Sequence, residues 1–192
     1  MGAPLLVVGL GNPGPRFQFT RHNVGFDLVE ALSASVGRPL RKALFRPVQW
    51  ARGVPALAKP LTFMNRSGQV VPWLLQKTGI PAERLVVVVD NMDLPPGEIR
   101  MKRRGSPASH NGLKSISEAL GHDEYPRLYV GVGRPAADTD TITHVLGRFD
   151  DDDRALVDDA LARAVPVLAD STDRDIQQLI SEINARRRPE SA

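Results

Sequence analysis

The sequence predicts one α/β domain built on a mostly parallel sheet covered by helices. Three observations lead there. The chain has 192 residues, 42% of them hydrophobic, enough to bury one sizeable core and within the commonest range for single domains. Three short apolar runs rich in valine, residues 5–10, 85–89 and 128–132, are each followed by Gly or Asp, as strands buried on both faces are. Helical periodicities fill the intervals between them, and strands alternating with helices imply a parallel sheet with its crossovers packed on its faces.

The run at 5–10 is the first strand. A helix over 24–36 follows, turning Phe26, Val29, Leu32 and Val36 inward. A weaker strand spans 54–59 before Pro60, then a helix 70–77, the strand 85–89, a helix 113–120 stopped by Gly121, and the strand 128–132. Two helices make the tail and form a lid. The first, 154–168, is opened by aspartates that suit a helix N-terminus and carries Pro166 near its end; the second, 173–185, aligns Ile176, Leu179, Ile180 and Ile183 on one face. The domain is drawn as 1–185, with 186–192 a disordered tail. There is no internal repeat and no low-complexity linker.

Composition excludes several chemistries. With no cysteine there is no disulfide framework, thiol nucleophile or cysteine-bound zinc. The N-terminal segment lacks a basic region and reads as a strand, not a signal peptide, and no stretch approaches the roughly 20 apolar residues of a membrane span. A cytoplasmic protein without membrane association is expected. The net charge of +3 does not by itself argue for nucleic acid. Its distribution is more informative: Arg100, Lys102, Arg103 and Arg104 cluster mid-chain, and Asp150, Asp151, Asp152 and Asp153 form an acidic run. On charge alone a solvated face explains such a cluster better than phosphate binding.

Gly9, Gly11 and Gly14 match the G-x-G-x-x-G spacing after a strand. The dinucleotide-binding fingerprint needs those glycines to open a helix and an acid at the end of the second strand; here Pro13, Pro15 and the loop to Thr20 delay the helix, and Asp27 and Glu30 lie inside it. Asn12 follows the first strand and Asp90 ends the second valine run, so both aim at the crevice beyond the carboxyl ends of a parallel sheet. Asn23, Asn65 and Asn111 each precede a helix, where capping is the ordinary explanation. Two of the four histidines, His22 and His110, directly precede such an asparagine, which capping does not explain. A histidine beside a carboxylate makes a general base near neutrality, and His22 with Asp90 would serve. Amide donors around it suit an oxyanion, hence hydrolysis of an ester or amide. No serine sits in a G-x-S-x-G elbow, so water is the nucleophile, and a metal is disfavoured because the histidines lack H-x-x-x-H spacing and no acid cluster accompanies them. His122 and His144 read as surface or packing residues.

Five segments then coincide with one known family: V-G-L-G-N-P-G at 8–14, T-R-H-N-V-G at 20–25, K-P-L-T-F-M-N-R-S-G at 59–68, D-N-M-D-L-P-P-G at 90–97 and H-N-G-L-K-S-I at 110–116. In that order, across most of the first 135 residues, the chain resembles the bacterial-type peptidyl-tRNA hydrolases. The resemblance implies a single domain with a twisted mixed sheet, no metal or cofactor, no obligatory protein partner, and a monomer. It implies tRNA as partner: the substrate is peptidyl-tRNA released early from ribosomes, cleaved to peptide and reusable tRNA, a ribosome-rescue step of translation. By resemblance His22 is the general base, Asp90 the acid that orients it, and Asn12 a further catalytic and substrate-binding residue. Phe17, Met64, Asn65, His110 and Asn111 bind substrate, with Asn65 and Asn111 the candidates for oxyanion contact. Lys102, helped by Arg100 and Arg103, is assigned to the tRNA 5′-phosphate, and the tail helices to a tRNA-facing lid.

The chain departs from the family in three places. Residues 104–109, R-G-S-P-A-S, replace a glycine-rich stretch, and Ala108 and Ser109 restrict the backbone there. Tyr129 stands where many members carry a second clamp arginine after Arg127, and Phe17 replaces a common tyrosine. Two other functions compete: a catalytically silent relative that only binds RNA, and an esterase of small N-acylated molecules. The intact Asn12, His22 and Asp90 favour the tRNA enzyme over the first, and the basic cluster favours it over the second.

Overall fold

The computed structural model describes residues 4–107 and 109–185; the expectations for Ala108 and for a disordered 186–192 tail fall outside them. Thirteen regular elements follow in order: β1 (Leu6–Gly9), α1 (Val24–Ser35), β2 (Arg41–Lys42), β3 (Val48–Ala51), β4 (Ala56–Pro60), α2 (Val71–Thr78), β5 (Leu85–Asn91), β6 (Ile99–Lys102), α3 (Asn111–Leu120), β7 (Arg127–Gly131), α4 (Thr141–Leu146), α5 (Asp151–Ala169) and α6 (Ile176–Ala185). Short 3₁₀ segments, Arg21–Asn23 and Met64–Val70, lead into α1 and α2.

The sheet runs β2-β3-β4-β1-β5-β7-β6. Its four central strands are parallel, with Leu6 paired to both Ala56 and Leu85, and Val87 to Arg127. Antiparallel strands complete both edges. The mixed sheet and its flanking helices match the predicted fold class. Valine-rich central strands follow from burial on both faces: Leu6 and Val8 of β1 pack with α2 and α3, while Leu5 and Val7 pack with α1, α5 and α6. β2, β3, β6 and α4 were not assigned from sequence. β6 alternates buried Ile99 and Met101 with Arg100 and Lys102, a half-buried edge pattern too short to stand out.

The two tail helices, α5 and α6, are seated on the sheet: Val157, Leu161, Leu168, Leu179, Ile180 and Ile183 are buried in the core against it, because an apolar face of that size finds its partner there. α5 also begins earlier than expected, where Asp150 caps it by accepting from Asp153 N–H at 2.8 Å. Arg154 then reaches across to Asp27 of α1 at 2.6 Å.

Two close approaches position the site. A Cβ at Gly25 would lie 2.5 Å from the Leu10 backbone and from Val88 O, so α1 can begin directly on the ends of β1 and β5 only with glycine there. A Cβ at Gly68 would lie 2.0 Å from Ser115 O, and Gly68 N–H donates to Ser115 Oγ at 3.0 Å. That contact seats the 3₁₀ segment 64–70 on α3.

Candidate active site

Beyond the carboxyl ends of β1 and β5 lies a crevice of about 950 Å³. β1 delivers Asn12, the 3₁₀ turn before α1 delivers His22, and β5 delivers Asp90, which is 6% exposed. Asp90 Oδ1 is the shared partner of two imidazoles, His22 Nδ1 at 2.8 Å and His110 Nε2 at 3.1 Å. Burial alone would raise the Asp90 carboxyl, but the two rings beside it and their hydrogen bonds win and hold it well below the usual carboxylate range. Asp90 is therefore a carboxylate that accepts from both rings.

The hydrogen bonds fix both tautomers. His110 Nδ1 accepts from Leu113 N–H at 3.3 Å, so its proton is on Nε2, facing Asp90. His22 donates through Nδ1, which leaves Nε2 as the basic nitrogen of a ring on the crevice wall. Asn12 is fixed in the same way. Its Oδ1 accepts from Met64 N–H at 2.8 Å, and its backbone is clasped by the Asn23 amide, with Asn12 N–H donating to Asn23 Oδ1 at 2.8 Å and Asn23 Nδ2 donating to Asn12 O at 3.0 Å. The remaining end of the Asn12 amide is an NH₂ donor.

These bonds overturn the capping explanation for the asparagines. Asn23 precedes α1 without capping it and holds Asn12 instead; Asn65 lies inside the 3₁₀ segment; Asn111 is the first residue of α3, and the cap is His110. Asn65 and Asn111 both line the crevice with exposed side chains. Phe17 and Met64 line it too, and Phe17 meets Phe63 edge-to-face at 6.4 Å.

Lys102 reaches the crevice, whereas Arg100 and Arg103 do not line it. The Lys102 ammonium lies 5.9 Å from the ring of Tyr129, another wall residue. Arg127 is wholly buried, donating to Gly105 O and, at 3.3 Å, to Asp123 O, with its guanidinium 4.5 Å from the Tyr125 ring. Sequence reasoning missed Arg16, Arg66 and the short helix α4, whose Thr141, Ile142 and Val145 form a further wall. Six residues of helix leave almost no periodicity to detect, though Asp140 before Thr141 and Thr143 is a capping signal, and it accepts from Ile142 and Thr143 N–H.

The spacing argument against a metal also misses a constellation. His22, Asp90 and His110, from three separate segments, place one ligand atom each within 4.8 Å of one another. Both ring nitrogens converge on the same carboxylate oxygen, and that fits a carboxylate orienting two imidazoles better than three ligands around a common ion. The apparent dinucleotide fingerprint is likewise only a loop, since α1 starts ten residues beyond Gly14.

A family model described as peptidyl-tRNA hydrolase matches residues 6–191. A relative of that name from Caldanaerobacter subterraneus subsp. tengcongensis is 38% identical over 183 residues, 93% of this chain and 98% of its own. One from Synechococcus sp. (strain JA-3-3Ab) is 44% identical over 83% of this chain and 73% of its own. Among solved structures, a crystal structure of peptidyl-tRNA hydrolase from Acinetobacter baumannii superposes with a TM-score of 0.87 at 33% identity, covering 96% of each chain. A peptidyl-tRNA hydrolase complexed with N-propanol gives 0.89, also at 33% identity.

Proposed function

This chain belongs to the peptidyl-tRNA hydrolase family and is a hydrolase, and from that premise we propose that it cleaves the ester joining a peptide to the 3′-terminal ribose of tRNA, with His22 as the base. The observation that carries this is the His22–Asp90 hydrogen bond beside the oriented Asn12 amide, all in one crevice. His22 Nε2 takes a proton from water as the water oxygen bonds to the ester carbonyl carbon. Asp90 stabilises the imidazolium so formed, and the imidazolium returns the proton to the departing ribose oxygen, leaving a free peptide acid and a tRNA hydroxyl. The NH₂ groups of Asn12, Asn65 and Asn111 position the water and meet the oxyanion. His110 has both ring nitrogens committed, so it anchors Asp90 and offers substrate only its ring. Phe17 and Met64 supply apolar contact to the peptide end. Lys102, with Arg100 and Arg103 nearby, holds RNA phosphate.

The substrate class brings its setting: a cytoplasmic enzyme of translation that returns tRNA to use, working as a monomer. Among the described residues no helix is long and apolar enough to cross a membrane. The test compares N-acetyl-aminoacyl-tRNA with unblocked aminoacyl-tRNA. Preferential cleavage of the blocked ester is expected. Binding of both with cleavage of neither would identify a silent RNA-binding relative, and cleavage indifferent to the tRNA would identify a small-molecule esterase.

A further inference from the structure

The sheet edge opposite Lys102 carries a surface that hydrolysis does not use. Residues 31–82 contain eight basic side chains and no Asp or Glu, in a chain of net charge only +3. Within that stretch β2 and β3 form a hairpin whose turn exposes Leu44 (79%) and Phe45 (91%) between Lys42 and Arg46. Phe45 sits at φ 60, a left-handed conformation that bulky residues seldom adopt. Both tryptophans of the chain lie on the same edge: Trp50, directly opposite Arg41, meets Trp73 of α2 edge-to-face at 5.6 Å, and the Arg52 guanidinium lies 5.9 Å from the Trp50 ring. The Arg41, Lys42, Arg46 and Arg52 side chains are exposed, and among the described residues no strand pairs with the outer side of β2.

We propose that this edge is a second RNA-binding surface, with unpaired bases stacking on Phe45 and Trp50 and phosphates held by Arg41, Lys42, Arg46 and Arg52. Aromatic rings interleaved with cations are the arrangement that binds single-stranded nucleic acid, since every base has a π-face and every linkage a charge. An anionic bilayer would call for a continuous apolar face, and this edge offers two apolar residues at a turn. The turn lies at the same end of the sheet as the crevice, because Val48 pairs with Pro60, and Leu61 N–H donates to Pro47 O at 2.7 Å. It lies six strands across from β6, roughly 29 Å for a flat sheet at about 4.8 Å per strand. RNA on the edge is then either a remote part of the substrate tRNA or a separate molecule.

The experiment uses the intact protein and its own tryptophans. An oligoribonucleotide of about 12 nucleotides, within the span of such sites, is titrated into wild type, Arg41→Gln/Arg46→Gln and Phe45→Ala, all with matched melting curves. Saturable fluorescence quenching is expected in wild type. The double variant weakens binding about tenfold or more and lowers the slope of log affinity against log salt by about 0.7 per cation removed; Phe45→Ala weakens binding with the slope unchanged. Cleavage of a short N-acetyl-aminoacyl-CCA fragment stays at the wild-type rate in all three, which separates this surface from the hydrolytic site. If the variants also raise KM for full-length peptidyl-tRNA, the RNA is the substrate's own; if they do not, it is a second RNA. Quenching equal in wild type and variants, or binding to phosphatidylglycerol vesicles with none to RNA, overturns the proposal.

Discussion

At the scale of single residues the proposed chemistry rests on one shared oxygen. Asp90 Oδ1 accepts from two imidazoles, so its contact with His22 is shared with His110. His22→Ala is expected to lower kcat by roughly 10²–10⁴-fold with little change in tRNA affinity; turnover within a few-fold of wild type would reject it as the base. Asp90→Asn keeps the shape but removes the charge that stabilises the imidazolium formed in the reaction, so it should lower the rate, though less than His22→Ala does. The same carboxyl has a stability consequence. Its folded value lies below its unfolded one, so its contribution is complete above the ordinary carboxylate range and fades as pH falls through the folded value. Urea unfolding should therefore find wild type and Asp90→Asn furthest apart near neutrality and converging in strong acid. Asn65→Asp would place a negative charge where the oxyanion forms. It should be worse than Asn65→Ala, a loss on the order of 10²–10³-fold for a true oxyanion donor, and equal rates would remove Asn65 from that role.

At the scale of elements, what could be read in advance followed burial. β1, β5 and β7 are buried on both faces, so their valine runs announced them, and α1 and α6 announced themselves by their apolar spacing. β2, β6 and α4 did not, because a strand of two residues or a helix of six has too few side chains to show a period. His22, Asp90 and Asn12 were legible because strand ends and a histidine–carboxylate pair carry a chemical reason. The second imidazole on Asp90 was not, because it depends on how α3 is seated. The link between α1 and α5 offers an element-scale test. Burial raises the Asp27 carboxyl and Arg154 opposes the rise, so Arg154→Met should destabilise by about 1–3 kcal/mol near neutrality, the cost of a buried group left without its partner. A carboxyl whose folded value is raised stabilises below its unfolded value and loses that stability as pH climbs through the folded one. The variant's deficit should accordingly shrink as pH is lowered from about 7.5 towards 4.5, read from Tm; a constant deficit would mean Asp27 is not the group responsible.

At the scale of the whole molecule, the proposed function has the crevice hold the end of a long polyanion with little net charge to help, so the placement of a few cations decides affinity. Arg127 cannot serve: it is buried and committed to Gly105 O, Asp123 O and the Tyr125 ring. Lys102 is the cation on the crevice wall near Tyr129, a point charge on a flexible stem where an arginine would present a planar fork. A phosphate held there is far from the ester and is bound as tightly in the ground state as in the transition state. Lys102→Ala should then raise KM for peptidyl-tRNA more than it lowers kcat, and wild-type affinity should fall steeply with salt. Tyr129→Arg restores a fork beside the lysine and should sharpen preference for a 5′-phosphorylated acceptor end. The measurement is kcat/KM with and without the 5′-phosphate in wild type, Lys102→Ala and Tyr129→Arg. A large phosphate effect that survives Lys102→Ala intact would place the phosphate elsewhere on the molecule, because a contact made through the Lys102 ammonium cannot persist once that group is removed.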